Sequence, residues 1–487
     1  MHSSVYHSHA IQAWEQRWFQ QQNNHFGLMQ QAAWTIAQRL ILLFEQKKIT
    51  HIALCCGFGN NAGDGYLIAT YLAQANFQVE IYATDLGQSA NLKCAYEYVK
   101  KENIQINWHF NFKQHHQVYI DALFGIGLNR ELDENFQNII QALNEKTALK
   151  ISIDIPSGLH ADTGQTLPCA FVADYTYTVL AHKLGLHTGK AKAYVGQIEL
   201  CPLIPTDNLL KPTAYLASKK VVLPPRSPFS HKGTHGHVFV IGGHANMGGA
   251  VMMAAEAAFY AGAGKVTVIC HKNHHVAILS RMPNIMVQDI DQLDINAKKQ
   301  LLAQADAIAF GMGLGRDLWA KNQFLAWFDL LQQNNIETVL DADALWFLAE
   351  HDVVLAQHFY LTPHPAEAAK LLAVTVAQVE QDRIASIGQL KEKYQGQWVL
   401  KGSGSLILEQ KLWICQLGNA GMATGGMGDV LAGMIASLKA QFKDQVALHD
   451  IVTLHAQAGD LLAKTGMRGV QAHHMNEMIY QVVNQTD

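Results

Sequence analysis

Apolar positions along the chain fall in short continuous runs that alternate with stretches of helical period. HIALCCG at 51–57, QVEIYAT at 78–84, QVYIDAL at 117–123 and LKISIDI at 149–155 read as strands buried on both faces, while residues 65–74 carry the longer period of a helix. The pattern restarts with HVFVIGG at 237–243, a small-residue helix over 249–261, KVTVIC at 265–270, DAIAFG at 306–311 and ETVLDA at 337–342. Alternation of strand and helix predicts an α/β fold with two doubly wound parallel sheets. The first 45 or so residues read as helical, with Trp14, Trp18, Met29, Trp34, Ile36 and Leu40 expected as a buried packing stripe.

The alternation is interrupted between Cys201 and His231, where Pro202, Pro205, Pro212, Pro224, Pro225 and Pro228 cluster. That link predicts two domains, 1–212 and 218–487, in agreement with a length of 487 residues, more than one core usually supports. A formal net charge of -4 provides no basic field for nucleic acid or an acidic membrane surface. No stretch has the length of a signal-peptide core or an apolar membrane span, and the seven scattered cysteines form no CxxC pair, so a cytoplasmic protein is expected. Histidines 271, 274, 275, 473 and 474 lack carboxylate or cysteine partners at helical spacing, which argues against a transition-metal site.

Chemistry concentrates at the predicted strand ends. In the first half GFGNNAGDG at 57–65 leads into a helix, with glycines one residue too far apart for a dinucleotide fingerprint but with Asn60, Asn61 and Asp64 among them. Asp121 and Asp154 close two further strands, and Ser157 follows the second. Carboxyl ends of parallel strands line one crevice, so Asn61, Asp121, Asp154 and Ser157 should supply oxygens for a hard cation and a carboxylate for acid–base work.

In the second half GNAGMATGGMGD at 418–429 places a glycine-rich turn and Asp429 at the start of an apolar helix. Unpaired amides and the helix dipole make that turn a phosphate cradle with a base beside it, and no GxxxxGK followed by Ser or Thr offers a P-loop instead. HKGTHG, GGHANMGGA, GMGLG at 311–315, DADAL at 341–345, TPHPAE at 362–367 and KGSGS at 401–405 also flank predicted strands and are expected to converge on one cleft.

The motifs GNNAGDG, DALFGIGLNREL and SIDIPSGL resemble the epimerase domain of the bifunctional enzymes that repair hydrated NADH and NADPH. HKG, GLG, DADAL, TPHP, LKG and GMATGGMGD resemble the dehydratase domain, in the family's order and over nearly the whole chain. The resemblance implies a Rossmann-like α/β/α sandwich followed by a ribokinase-like α/β/α domain. It implies potassium on Asn61, Asp121 and Ser157, and Asp154 as the acid–base group. Hydrated nucleotide would meet Asn60, Asn61, Ala62, Gly63, Asp64, Gly125, Ile126, Gly127, Leu128, Asn129, Arg130, Glu131 and Asp154. In the second half Ala250, Gly313, His364 and Asp429 would meet the hydrated dinucleotide, with Asp429 catalytic, while Lys401, Gly402, Ser403, Gly404, Ser405 and Gly428 would meet an adenine nucleotide. ADP is favoured over ATP, with Mg2+, by resemblance to microbial fusions that carry the epimerase first. Small molecules are the implied partners, and a homo-oligomer is expected.

Four departures from the family pattern stand out. Ala62 replaces a glycine and is expected to alter the local backbone; Gln30 and Gln31 stand where the family carries an acidic residue; Ala420 and Met427 replace a proline and a threonine, the latter removing a hydroxyl from the phosphate turn; and Ala472, His473, His474 replace ASD. Two other functions remain compatible with these residues: a small-molecule kinase for a sugar or a hydroxymethylpyrimidine, and a non-catalytic first half of the kind found in messenger-RNA decapping proteins. Intact Asp121, Asp154 and Ser157 and the lack of a basic, aromatic surface run oppose the second.

Overall fold

Strands that are apolar at successive positions can be covered on both faces, and the first half is built that way. The computed structural model describes residues 3–112 and 115–486 and divides into two units, Ser3–Tyr215 and Leu216–Asp487. In the first unit the strands are β1 (Ser4–Tyr6), β2 (His51–Cys56), β3 (Gln78–Ala83), β4 (Gln105–Asn107), β5 (Val118–Ala122), β6 (Leu149–Ile153), β7 (Tyr175–Val179), β8 (His182–Lys183), β9 (Gln197–Cys201) and β10 (Ala214–Leu216). Its main sheet has the order β4-β3-β2-β5-β6-β7-β9, parallel throughout.

The helices are α1 (Ser8–Gln20), α2 (His25–Lys47), α3 (Asn60–Gln74), α4 (Ala90–Lys101) and α5 (Glu134–Asn144). Residues Ile52, Leu54 and Cys56 of β2 face a core shared with α2, α3 and α4, whereas Ala53 and Cys55 face the core that receives Phe136, Ile139 and Ile140 of α5. The period of two along one strand thus feeds two layers. Order reverses between β2 and β5, so the ligand crevice of such a sheet lies beyond their carboxyl ends. Gly57 sits there because a Cβ would stand 2.1 Å from the Leu123 carbonyl oxygen.

β1 pairs with β8 in parallel, Tyr6 opposite Lys183, and with β10 in antiparallel. This small ladder sets α1 beside β8, and Ile11 and Trp14 pack with Leu180 and Ala181. The predicted stripe is correct for Trp14, Met29, Ile36 and Leu40, which are buried, and incorrect for Trp34, which is 50% exposed with its ring edge-on to Tyr71. Trp18 is half-buried. Trp34 shares the periodicity of the stripe but lies at its rim.

The second unit contains β11 (His237–Ile241), β12 (Lys265–Cys270), β13 (Met286–Asp289), β14 (Ala307–Phe310), β15 (Glu337–Leu340), β16 (Leu355–Leu361), β17 (Gln395–Leu400), β18 (Leu406–Leu408) and β19 (Leu412–Ile414). Their order is β13-β12-β11-β14-β15-β16-β17-β18-β19, parallel up to β17 and antiparallel beyond. Val238, Val240, Val266 and Val268 face a core with α6 (Gly248–Tyr260) and the helices Met427–Phe442 and Leu448–Leu462. On the other face Phe310 stacks on Phe324 of the helix Leu318–Gln332. This sheet reverses between β11 and β14, which puts its crevice at residues 242–247 and 311–315. No helix among the described residues is long and apolar enough to cross a membrane.

Candidate functional site

Candidate site residues gather beyond the carboxyl ends of the parallel strands in each unit. In the first unit a cavity of about 510 Å³ opens beyond β2, β5 and β6, a size suited to a small-molecule ligand. Asn60, Asn61, Asp64, Gly125, Ile126, Gly127, Leu128, Asn129, Arg130 and Asp154 line it, as the sequence implies. Ala62, Gly63 and Glu131 do not. Ala62 lies within α3 and is buried in the core, and a Cβ on Gly63 would meet Met29 Sδ of α2 at 2.7 Å, so neither borders the cavity. Ala62 has ordinary helical backbone rather than positive φ, so the expected distortion is absent: a methyl is at home there. Glu131 is exposed outside the lining.

Below the cavity, Asp121 is fully buried at the end of β5 and accepts bonds from the Ser157 amide at 2.8 Å and the Ser157 hydroxyl at 2.6 Å. Burial lifts its carboxyl to about 6, against the pull of those bonds. Asn61 donates its amide to the carbonyl oxygens of Phe124 at 2.9 Å and Ile153 at 3.3 Å. Its Oδ1 is buried and accepts nothing. An orphaned amide oxygen beside a serine hydroxyl and a carboxylate is the hard-oxygen donor set a monovalent cation takes, so these residues fit potassium.

Asp154 stands at φ 70°, a conformation that costs a non-glycine residue energy and that collects at functional sites. Two neighbours assist it: Lys183, 1% exposed, donates its ammonium to the Asp154 carboxylate, and the Val179 amide approaches at 3.3 Å. Lys183 also donates to Thr178 Oγ1 at 2.8 Å and to the Val179 carbonyl at 2.7 Å. Lys183 and Glu15, both in the lining, were not singled out from sequence. A lysine in a two-residue strand carries no local signal, and Glu15 lies within a helix read as packing. Asp64 rises well above the carboxylate range through burial, then through Asp154 and Glu15.

In the second unit the helix Met427–Phe442 begins at Gly426, whose φ of 95° makes the turn. Asp429 falls in the first helical turn, where burial, reinforced by Asp341, lifts its carboxyl to about 7. Lys401, at the end of β17, binds Asp341 at 2.8 Å and approaches Glu367 at 3.7 Å. Gly428 belongs to the same group, since a Cβ there would stand 3.1 Å from Lys401 Nζ. Thr362 Oγ1 donates to Asp341 Oδ1 at 2.8 Å. Burial also raises Glu367, to about 7.

His364 caps the helix Pro365–Leu372, its ring accepting from the Ala366 amide at 3.0 Å. Gly313 and Ala250 meet across the reversal point, a Cβ on Gly313 standing 3.2 Å from Ala250 Cβ. Asp343 connects that side with Asp429: it accepts from the Gly315 amide at 2.9 Å and Arg316 Nε at 2.8 Å, and it is among the charges acting on Asp429. Gly402, Ser403, Gly404 and Ser405 form the turn from β17 to β18. Beneath it Arg383, 2% exposed, donates to the Leu400 and Lys401 carbonyls, each at 3.1 Å. Asp341, Glu367 and Arg383 organise this site, and only the first two lay in motifs noted from sequence.

Residues 238–481 match the family model described as NAD(P)H-hydrate dehydratase, and residues 25–185 match that of the YjeF-related protein N-terminus. The chain is 36% identical over 458 residues to the bifunctional NAD(P)H-hydrate repair enzyme of Coxiella burnetii, covering 91% of this chain and 92% of that one. It belongs to the bifunctional NAD(P)H-hydrate repair enzyme family. The Escherichia coli member is 34% identical over 468 residues, covering 89% and 85% of the two chains. Among solved structures, the ADP/ATP-dependent NAD(P)H-hydrate dehydratase from Bacillus subtilis, co-crystallised with ATP and Mg2+, is 25% identical with a TM-score of 0.47, over 54% of this chain and 93% of that one. The first unit thus has carboxylates around a cavity, and the second a glycine-rich helix start with a carboxylate.

Proposed function

We propose that this chain repairs hydrated NADH and NADPH, exchanging the R and S hydrates at the 6-position in domain 1–212 and dehydrating the S hydrate in domain 218–487 with an adenine nucleotide. What supports this most is that one chain of this family carries both sites, each beyond the carboxyl ends of the parallel strands of its own sheet. In the first, Asp154 exchanges a proton with the hydrated ring while Lys183 holds its carboxylate in place. The dinucleotide lies against Asn60, Asp64 and the loop Gly125 to Arg130. Potassium on Asn61, Asp121 and Ser157 would fix the ends of β5 and β6 and add positive field beneath the ligand.

In the second, hydroxide is a poor leaving group from the 6-position, and phosphorylation of that oxygen removes the difficulty. Asp429 takes the hydroxyl proton as the phosphoryl group arrives, and the amides at Gly426 and Gly428 stabilise the phosphate charge. Phosphate then leaves as the ring nitrogen lone pair forms a carbon–nitrogen double bond, and loss of a proton from the neighbouring 5-carbon to water returns that pair to nitrogen and restores the reduced nicotinamide. Lys401 and the turn through Ser405 hold the nucleotide, and Ala250, Gly313 and His364 the dinucleotide. Mg2+ would come with the nucleotide phosphates and balance their charge near Asp341 and Glu367, since among the described residues no three ligating side chains converge on a preformed metal site. ADP is the favoured donor, and the protein acts as a homo-oligomer.

The test is recovery of reduced-nicotinamide absorbance from a mixed-epimer hydrate in potassium buffer with ADP, ATP or no nucleotide. Full nucleotide-dependent recovery is expected. Recovery of one epimer's share alone removes the epimerase, and a stable phosphorylated product in place of inorganic phosphate turns the second half into a kinase.

A further inference from the structure

We propose that Glu15 is a second acid–base group of the first site, sharing the work of epimer exchange with Asp154; this rests on the epimerase reading. Helix α1 brings Ile11, Gln12 and Glu15 to the cavity, at the spacing of one helical face. The helix is held at both ends. The Ser8 amide and hydroxyl donate to Asp162 at 2.6 and 2.8 Å, and Arg17 grips Asp207 through two bonds of 2.7 and 2.9 Å. Trp14, adjacent to Glu15, is 2% exposed and donates its indole N–H to the Pro205 carbonyl at 3.3 Å. So firm a mount keeps the Glu15 side chain on the cavity wall.

Among the described residues Glu15 has no ion pair and no side-chain hydrogen bond, although it is only half-exposed. A merely structural glutamate on a surface helix would turn to water or to a basic neighbour. The titratable and charged groups that line the same cavity are Asp154 beyond β6, Lys183 on β8, Asp64 on α3 and Arg130 from the loop after β5, and of these Asp154, Lys183 and Asp64 interact electrostatically with Glu15. Burial, then Asp154, raise its carboxyl, with Lys183 acting in the opposite sense.

Exchange at the 6-carbon asks for two such groups. As the C–O bond breaks, the ring nitrogen lone pair forms a carbon–nitrogen double bond, and the departing hydroxyl takes a proton from one carboxylic acid to leave as water. Water then adds to the opposite face, closing the C–O bond and returning the electron pair to nitrogen, while the other carboxylate takes its proton. One acid has lost a proton and one carboxylate has gained one. The exchanged state is the starting state for the reverse direction, which suits an enzyme that must accept both epimers. Two carboxyl groups in unlike surroundings, one ion-paired to Lys183 and one not, permit this division.

The test uses full-length Glu15→Gln and Glu15→Asp with separated R and S hydrates, following exchange without nucleotide as a function of pH, and dehydration of the S hydrate with ADP as an internal control. Glu15→Gln is expected to lower kcat for exchange by about a hundredfold with KM changed less than about threefold, and to abolish one limb of the pH profile, the alkaline limb from the epimer for which Glu15 is the acid and the acidic limb from the other. Glu15→Asp should restore part of the rate and the limb, and dehydration should be unchanged in both. Exchange by Glu15→Gln at the wild-type rate, or equal losses in the two variants with an unaltered pH profile, overturns the inference while leaving the epimerase in place. Absence of exchange in the unsubstituted chain overturns the epimerase reading and this inference together.

Discussion

Lys183 and Asp154 form an ion pair in which the lysine is almost wholly withdrawn from water and the aspartate holds a left-handed backbone conformation. The strained residue is fixed from several sides: its amide donates to the Tyr177 carbonyl at 2.8 Å, and its carboxylate receives both Lys183 and the Val179 amide. Such a conformation costs about 1–3 kcal/mol and persists only where the surroundings over-determine it. Asp154→Asn is expected to lower epimer exchange by at least about a hundredfold and leave S-hydrate dehydration intact. Parallel assays of the two activities on one preparation check it.

Removing the partner should act differently. Lys183→Met leaves the Asp154 carboxylate buried without its cation, so the first unit should lose about 3–5 kcal/mol of stability along with exchange. Denaturant unfolding of Lys183→Met beside Asp154→Asn separates the cost of an orphaned charge from the loss of the reacting group.

Burial, and then Asp341, push the Asp429 carboxyl up from the usual value near 3.8 to about 7. A base must be ionised to accept a proton, so kcat/KM for dehydration should rise as pH rises through about 7 and level off above it. The stability consequence has the opposite sense. Between about 4 and 7 the folded chain holds a proton that the unfolded chain has released, so this residue's contribution is complete at low pH and is lost as pH rises through 7. Asp429→Asn should erase the rising limb and lower dehydration by about a hundredfold or more, as pH–rate profiles of the two proteins would record.

Gly426 has φ 95°, and a Cβ on it would lie 2.4 Å from Met253 Sδ and 2.9 Å from Ala472 Cβ. Gly426→Ala combines strain with overlap and should destabilise by about 1–3 kcal/mol while weakening nucleotide binding. Thermal melts with and without ADP should both fall, the ADP-induced increment shrinking as well.

Exchange of potassium for lithium at constant ionic strength should slow epimer exchange severalfold and spare dehydration of pure S hydrate. Equal sensitivity of the two reactions, read from initial rates in the two salts, would remove the cation from Asn61, Asp121 and Ser157.

Much of this architecture is legible in the amino-acid order because buried parallel strands declare themselves. β12 coincides with the run KVTVIC, and the β2, β5 and β6 runs end where Gly57, Asp121 and Asp154 enter the site. What escapes is set by tertiary neighbours. β8, two residues long, brings Lys183 to Asp154 through pairing with β1, a strand more than 170 residues earlier in the chain. Arg383 reads as an ordinary polar position on a helix until the turn after β17 is seen resting on it. Ala62 errs in the other direction: a motif comparison suggests strain, but a position inside a helix prefers alanine to glycine.

Asn61 spends both amide protons on carbonyls from two separate strand ends, those after β5 and at β6, and thereby points its free oxygen in one direction. An aspartate there would turn oxygen against oxygen at the same two contacts, so the swap that elsewhere strengthens a cation site would here pry the crevice apart. The side chain is a strut and a ligand at once, and selection on either duty constrains the other.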